Sequence, residues 1–250
     1  ALAEALVRGL QDGRLLFSAE TKKVVLKDAS GALVDAATAE KLAAEGAHVV
    51  LTARAAKDLE AVEQRIFEAG GSATIAPMDL TEAGNNERLA AAVRERWGKL
   101  DILVLNAAML GTLAPVPVID AAEFNRVLTL NLLAQQALIA SFDALLRASD
   151  AGRLVVLTSS VGQQPRAYWG AYGASKAALE NLTLSYAEEV QNLSSVRVAI
   201  VDPSRTRTAM RAKAYPGEDP ATLKDPSVVG EAITQLLLGG FETGHRLIVD

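Results

Sequence analysis

The chain has 250 residues, of which 50% are apolar and 22% charged, and its 25 basic and 30 acidic residues give a formal net charge of -5. A chain of this length can bury a large core, and this composition excludes disordered, collagen-like and small secreted proteins. The absence of cysteine excludes disulfides and cysteine chemistry, and the mildly acidic balance with scattered basic residues argues against a nucleic-acid partner.

Residues 1–21 predict a short amphipathic helix, a leader that precedes a single domain at 22–250. Acidic residues interrupt its apolar stretch and no basic region precedes it, so a signal peptide is not indicated. The longest uncharged run, residues 102–119, contains Asn106, a glycine and two prolines, which favours a buried strand followed by a loop. We therefore expect a soluble, cytoplasmic protein with no membrane partner.

Short runs rich in valine, isoleucine and leucine alternate along the chain with segments of helical period. Runs that are apolar on both faces and separated by helices are typical of parallel strands covered on both sides. We predict an α/β fold, a single-domain, Rossmann-like, doubly wound parallel sheet of about seven strands with helices on both faces. The predicted strands are residues 24–26, 48–53, 73–79, 101–107, 153–160, 196–202 and 246–250. The predicted helices are residues 36–46, 57–70, 82–97, 121–148, 171–193 and 226–239, with Gly46 and Gly70 at two C-caps.

The strongest candidate for a chemical site lies at the end of the fifth strand and in the helix that follows. Ser159 ends that strand, and Tyr172 and Lys176 follow within AYGASKAALENL. Positions i and i+4 share a helical face, so the Lys176 ammonium is expected beside the Tyr172 phenol and to lower its pKa from about 10. Such a tyrosine can act as a general acid or base, and the Ser159 hydroxyl can hydrogen-bond a carbonyl oxygen. Tyr-x-x-x-Lys occurs frequently in helices by coincidence. The hypothesis therefore depends on the predicted strand that precedes this helix and on Ser159 at the end of that strand.

From about residue 22 onward the sequence resembles the short-chain dehydrogenase/reductase family. The matching positions are Asp79-Leu80 after the third strand, Asn106-Ala107-Ala108 after the fourth, Asn131 in the next helix, Ser159, Tyr172, Lys176 and the segment at Pro203. The stretch SSVGQQPRAYWGAYGASKAAL is similar to a bacterial subgroup of that family whose substrates are unsettled.

This resemblance implies an NADP(H)-dependent enzyme that interconverts a small-molecule carbonyl compound and an alcohol. Tyr172 would donate and accept the proton, Lys176 would lower its pKa and hold the nicotinamide ribose, and Ser159 would orient the carbonyl. Asn131 would hold a water that links Lys176 to solvent. The resemblance also implies a homotetramer or homodimer assembled through helices 121–148 and 171–193.

The resemblance further implies cofactor contacts at the carboxyl ends of the strands. Asp79 would accept from the adenine amino group and Asn106 would line the adenosine side, although each is equally suited to forming a turn. Arg54 follows the second strand where NAD-specific relatives place an acid, which favours NADP over NAD. The expected cofactor-binding residues are Gly31, Arg54, Asp79, Leu80, Asn106, Ala107, Tyr172, Lys176, Pro203 and Thr206. His48 and His245 lack metal-ligand spacing, so no metal site is predicted.

The loop after the first strand departs from the family pattern Thr-Gly-x-x-x-Gly-x-Gly. Its aligned residues 28–35 read DASGALVD, so the three glycines that let phosphates approach the backbone are absent, although Gly31 remains nearby. A carboxylate at Asp35 would repel a phosphate about 5 Å away by roughly 3 kcal/mol. Ser204 likewise stands where relatives usually have glycine after Pro203.

Three interpretations of this loop stay open. The protein is a working reductase with a rebuilt phosphate site, or a cofactor-deficient homologue that acts as a binding or assembly subunit or as a cofactor-free lyase. In the third interpretation, residues before about 36 depart from the natural gene, as a frameshift would cause. Lys176 favours the reductase, because dehalogenating relatives generally carry arginine there. NAD(H) is the alternative cofactor.

Two features near the site concern the substrate. Tyr168 and Trp169 either wall a substrate pocket or pack against a neighbouring subunit. Residues 205–220 stand where relatives have a mobile substrate lid. Arginines at positions 205, 207 and 211 either attract an anionic substrate or form a solvated face.

Overall fold

A computed structural model describes residues 22–27 and 33–250 of the chain, with side chains from residue 36 onward. The predicted leader at residues 1–21 and the expected cofactor contact at Gly31 lie outside the described residues. The strands are β1 (Lys22–Lys27), β2 (Ala47–Thr52), β3 (Ser72–Ile75), β4 (Ile102–Leu105), β5 (Arg153–Leu157), β6 (Arg197–Asp202) and β7 (His245–Ile248). The helices are α1 (Leu33–Ala44), α2 (Ala56–Glu68), α3 (Asn85–Trp97), α4 (Ala121–Leu128), α5 (Ala134–Arg147), α6 (Gly170–Gln191), α7 (Ala209–Ala214) and α8 (Pro226–Gly239).

The seven strands form one parallel sheet in the order β3-β2-β1-β4-β5-β6-β7. From β1, near the middle of the sheet, the chain winds outward to β3, and then crosses to β4 and winds outward on the other side. The order therefore reverses between β1 and β4. In open sheets of this kind, ligands bind beyond the carboxyl ends of the strands at this switch point.

Two apolar clusters cover the two faces of the sheet. One contains inward residues of α3, α5 and α6, such as Leu89, Phe142 and Leu179. The other contains inward residues of α1, α2 and α8, such as Ile66 and Ile233. Side chains of a strand alternate between the faces, and every residue of β5 is buried. The predicted doubly wound sheet of about seven strands with helices on both faces is confirmed.

The helical segment predicted at residues 121–148 is interrupted rather than continuous. The π-helical turn Thr129–Leu133 separates α4 from α5. The whole stretch Ala121–Arg147 has 27 residues and contains an 18-residue window with a mean hydropathy of 1.2, values compatible with a membrane span by length and composition alone. Its residues Leu138 and Phe142 are fully buried against the sheet, as in the core helix of an α/β fold.

Several predicted boundaries shift. The third and fourth strands end at Ile75 and Leu105, earlier than predicted, because the residues that follow leave the sheet as irregular backbone. Gly46 and Gly70 follow the ends of α1 and α2 with φ of 87° and 83°, the left-handed region that glycine adopts readily. The C-cap of α2 is Ala69, so Gly70 lies one residue beyond the predicted C-cap position. The short helix α7 was not predicted, although Thr208 caps it by accepting from the Arg211 N–H.

Candidate active site

The end of β5 and the start of α6 bring the three predicted catalytic side chains to the carboxyl edge of the sheet. Ser159 lies two residues beyond β5 and is half-buried, whereas Tyr172 and Lys176 lie in the first two turns of α6 and are buried. The Lys176 Nζ donates to the Leu157 carbonyl at 2.9 Å. This hydrogen bond fixes α6 to the last residue of β5, close to Ser159.

The turn after Ser159 packs directly on α6 because two glycines allow a close approach. A Cβ added at Gly162 would lie 3.1 Å from the Ala177 nitrogen, and one at Gly173 would lie 3.0 Å from the Val161 carbonyl oxygen. Both distances are tighter than a side chain tolerates easily. The glycines therefore hold the segment that carries Ser159 against the turn of α6 that carries Tyr172.

Burial controls the ionisation of the Tyr172 and Lys176 pair. Burial raises the pKa of Tyr172 above its ordinary value, and the Asp202 carboxylate raises it further. Burial lowers the pKa of Lys176 to about 8, against the opposing effects of Glu180 and Asp202. The expected lowering of the Tyr172 pKa is therefore wrong in this structure. Desolvation outweighs the ammonium, whose nitrogen lies 5.9 Å from the ring centroid and bonds to Leu157.

Asn131 lies at the centre of the π-helical turn and is fully buried. Its Oδ1 accepts from the Met109 N–H at 2.8 Å, and its Nδ2 donates to the Met109 carbonyl at 2.9 Å and to the Ser175 Oγ at 3.0 Å. The Ser175 hydroxyl in turn donates to the Tyr172 carbonyl at 2.7 Å. The amide thus ties the loop after β4 to α6, and π turns are frequent at functional sites. Its expected role in holding a water stays a prediction.

Asp79 and Arg54 follow β3 and β2, which are neighbouring strands. The Asp79 Oδ1 accepts from the Thr81 N–H at 2.9 Å and from the Thr81 hydroxyl at 2.7 Å, so this carboxylate forms the turn. Burial acts to raise the pKa of Asp79, but the Thr81 hydrogen bonds and the nearby Arg54 guanidinium lower it. A carboxylate and a guanidinium therefore stand together at the end of the sheet where adenosine was expected.

The other expected cofactor residues lie along the same edge but differ in burial. Leu80 and Ala107 belong to the core cluster, which leaves their backbone as the part open to a ligand. Asn106 is half-buried directly after β4. The Thr206 hydroxyl donates to the Pro203 carbonyl at 2.7 Å, which closes the turn after β6.

A buried hydroxyl at this edge has no hydrogen-bond partner among the residues that the structure describes. The Thr52 Oγ1, on the last residue of β2, makes no hydrogen bond within the described residues. A buried polar atom without a partner is costly and calls for an explanation, and a bound polar ligand supplies one. Together with the carboxylate, guanidinium and amide nearby, this donor and acceptor set fits a dinucleotide.

Ser204 adopts a left-handed backbone conformation, which glycine adopts more easily than serine. Its φ is 52°, and its N–H donates to the Asp202 Oδ1 at 2.8 Å. The left-handed region costs an L-residue about 1–2 kcal/mol, partly offset by the lower chain entropy of the unfolded state.

We expect Ser204→Gly to raise the free energy of unfolding by about 0.5–1 kcal/mol, because glycine removes the strain at a modest entropic cost. Urea denaturation measures the change. Ser204→Ala is the matched control, because alanine keeps the strain and should give no gain. Equal stability of the two variants would contradict this explanation.

Aromatic and apolar side chains form a wall over Tyr172. The Trp169 ring packs edge-on against Tyr172 with centroids 5.9 Å apart, and it also contacts Tyr215, at 5.7 Å. Met210 and Ala214 of α7 pack against the same small cluster. Trp169 therefore packs beside Tyr172, while its two possible roles, at a substrate pocket or at a subunit interface, stay predictions. Tyr215 joins it as a residue that the sequence gave no reason to single out.

Tyr168, in contrast, is 59% exposed and has a φ of 73°. Its carbonyl accepts from the Ala114 N–H at 3.0 Å, which anchors the residue in this conformation. Strained backbone of this kind clusters at functional sites, and here it directly precedes Trp169.

The arginines of the segment after β6 are engaged by acidic residues of the same segment. Arg205 and Arg211 both bond to Glu218, the latter through two hydrogen bonds, and Arg207 pairs with Asp225. These bonds lower the pKa of Glu218 to about 2. The carboxylates therefore offset much of the positive charge that an anionic substrate would need.

Comparisons with known proteins agree with the fold. A sequence profile described as short chain dehydrogenase matches residues 29–219. The uncharacterized oxidoreductase YciK of Escherichia coli strain K12 is 38% identical over 185 residues, which cover 73% of each protein. A short chain dehydrogenase from Pseudomonas syringae superimposes with a TM-score of 0.88 at 32% identity, covering 95% of this chain and 96% of that one. Another, from Escherichia coli CFT073 complexed with NADPH, gives a TM-score of 0.85 at 33% identity, covering 92% and 96%.

These similarities, with the doubly wound sheet, identify the class of the protein as an oxidoreductase. Within that class, the chain is a bacterial member of the short-chain dehydrogenase family. The resemblance seen in the sequence is confirmed.

Proposed function

We propose that this chain is an NADP(H)-dependent oxidoreductase that interconverts a carbonyl compound and an alcohol through Ser159, Tyr172 and Lys176. The observation that carries the proposal is the position of Tyr172 and Lys176 on one buried face of α6, tied to the end of β5 by the Leu157 bond. A tyrosine and a serine at the carboxyl edge of a doubly wound sheet stand where such sheets bind ligands.

The three side chains divide the work by their chemistry. The Ser159 hydroxyl donates to the carbonyl oxygen of the substrate and orients it. The Tyr172 hydroxyl donates its proton to that oxygen as the alkoxide develops, and its high pKa keeps the proton in place until then. Lys176 supplies the adjacent positive charge that stabilises the phenolate left behind. NADPH, when bound, supplies the hydride.

The cofactor would lie across the carboxyl ends of β2, β3 and β4. Asp79 and Asn106 would bind the adenosine, and Arg54 would bind a 2′-phosphate. Pro203 and Thr206 would border the nicotinamide end, with Lys176 at the ribose. The NADPH complex of a related Escherichia coli protein supports the choice of NADP(H). NAD(H) is the weaker alternative.

The wall over Tyr172 favours an uncharged substrate. Trp169, Met210 and Leu113 offer apolar contact, while the arginines nearby are paired with carboxylates. A small carbonyl compound with an apolar or aromatic substituent fits this environment best.

A homotetramer or homodimer is the proposed assembly. Leu133, the last residue of the π-helical turn before α5, is 58% exposed and Leu184 of α6 is 37% exposed. These exposed leucines, within the segments 121–148 and 171–193, support an interface formed by a second copy.

Titrating the purified protein with NADPH and NADH, followed by fluorescence, tests the proposal. We expect micromolar affinity for NADPH and weaker binding of NADH. Arg54→Ala should weaken NADPH binding about 10–100-fold, the cost of a charge-assisted hydrogen bond, and change NADH binding little. Absence of binding at millimolar NADPH would reject the reductase and favour the cofactor-deficient homologue. Equal loss for both cofactors in the variant would reject the role of Arg54.

A further inference from the structure

Glu180 places a buried carboxylate one helical turn beyond Lys176. The residue is 6% exposed, and the catalytic roles proposed above do not use it. Its carboxylate accepts from the Thr158 hydroxyl at 2.5 Å and from the Arg246 guanidinium at 2.7 and 3.3 Å. A buried charge persists only when it is paired and hydrogen-bonded. Arg246 of β7 provides that partner.

This carboxylate joins the segments that carry the proposed catalytic side chains. Thr158 directly precedes Ser159, so its hydrogen bond to Glu180 fixes the end of β5 to α6. Gln163, just beyond the turn after Ser159, joins the same group through its amide, in one orientation to Glu180 and in the other to Arg246. Ser159 is thus bracketed by two residues that Glu180 and Arg246 hold.

Two carboxylates and one backbone carbonyl, from three elements, act on the Lys176 ammonium. Glu180 lies on the same helix at i+4, Asp202 ends β6, and the Leu157 carbonyl of β5 accepts the ammonium hydrogen bond. Both carboxylates oppose the burial that lowers the pKa of Lys176. Arg246, bonded to Glu180, reduces the negative charge that Glu180 presents to the ammonium.

We propose that Glu180 is a positioning residue that keeps Lys176 protonated and holds Ser159 in register with Tyr172, and that Arg246 limits the strength of this effect. The inference rests on the proposed function, because it assigns a task in the same site. A purely structural ion pair between α6 and β7 would also be buried. Only the charge role, however, requires that removing the Glu180 carboxylate lower the pKa of Lys176 and that removing the Arg246 guanidinium raise it.

The test is a pH titration of protein labelled with [ε-¹³C]lysine, with the Lys176 resonance identified by its loss in Lys176→Met. In Glu180→Gln we expect the pKa of Lys176 to fall by about one unit, and in Arg246→Met to rise by a smaller amount, because Arg246 acts on Lys176 only through Glu180. Arg207→Met removes an equal charge from the exposed pair with Asp225 and should leave the resonance unshifted. Shifts of the same sign in both test variants, or none, would overturn the proposal.

Two further measurements keep the test decisive. If Glu180→Gln fails to fold by circular dichroism, Glu180→Asp retains the charge and should keep the Lys176 pKa near that of the parent, while Arg246→Met still must raise it. Once a substrate is found, the alkaline limb of the pH profile of kcat should move in the direction of the pKa shift.

The lysine titration uses neither cofactor nor substrate. Failure to bind NADPH would therefore reject the proposed function and leave the pKa shifts standing, whereas missing shifts in an active reductase would reject this inference alone.

Discussion

Replacing Tyr172 with phenylalanine is expected to lower kcat for carbonyl reduction by about 10²–10⁴-fold, the usual contribution of a positioned general acid. The variant loses only the hydroxyl that would donate the proton. The ring stays packed against Trp169, so the fold and the affinity for NADPH should change little. Stopped-flow or steady-state oxidation of NADPH with the best substrate of a carbonyl panel measures the effect.

Tyr215→Phe is the matched control, because it removes a phenolic hydroxyl from the same aromatic wall. That hydroxyl accepts a hydrogen bond from Arg166 at 3.2 Å and takes part in no step of the proposed reaction. We expect less than about a tenfold loss of kcat, since a single net hydrogen bond contributes about 1 kcal/mol. If Tyr172→Phe retained as much activity as Tyr215→Phe, Tyr172 would not be the proton donor.

The sheet could be predicted from the sequence because its signal is strong and local. Central strands such as β5 are apolar on both faces, and only a parallel strand covered by helices on both sides accommodates that pattern. The edges of elements were less predictable. A π-helical turn at Asn131 leaves the apolar period almost intact, so nothing in residues 121–148 indicates the break.

The candidate site was predictable where it depended on spacing and not where it depended on burial. The i, i+4 spacing of Tyr172 and Lys176 and their place after a strand are visible in the sequence. The direction of the Tyr172 pKa is not, because it follows from desolvation and from Asp202, which enters from β6. The i, i+4 spacing predicted that the Lys176 ammonium lowers the pKa of Tyr172, but burial and the Asp202 carboxylate raise it.

Long-range partners account for the remaining differences. Arg246 is 66 residues from Glu180, and no periodicity links a residue of β7 with one of α6. The sequence left open whether the arginines after β6 attract an anionic substrate or form a solvated face, and it did not indicate that Glu218 engages two of them. Ser204 was recognised as a departure from glycine, but only the backbone shows that serine adopts the left-handed conformation.

The buried ammonium of Lys176 should lower the stability of the protein in a pH-dependent way. Its pKa is about 8 in the folded protein and 10.5 for the free side chain, so the unfolded chain binds more protons between these values. Stability from this group therefore rises as pH increases from about 8 to 10.5, and below pH 8 the full cost is present. That cost corresponds to about 3 kcal/mol.

Lys176→Met should remove this cost and the proposed activity together. Methionine fills a similar volume without a charge, although the Leu157 carbonyl loses its hydrogen bond, a penalty of about 1–3 kcal/mol that does not depend on pH. The free energy of unfolding of the variant minus that of the parent should accordingly increase by about 3 kcal/mol when pH falls from 10.5 to 7.

Urea denaturation of both proteins at several pH values measures this difference, in which the titration of groups distant from Lys176 cancels. Lys213→Met is the control, because Lys213 is exposed and its replacement should leave a difference that is flat with pH. A flat difference for Lys176→Met as well would mean that the ammonium is solvated in the folded protein. The buried charge beside Tyr172 would then be lost as a feature of the site, since a solvated ammonium stabilises a phenolate far less than a desolvated one.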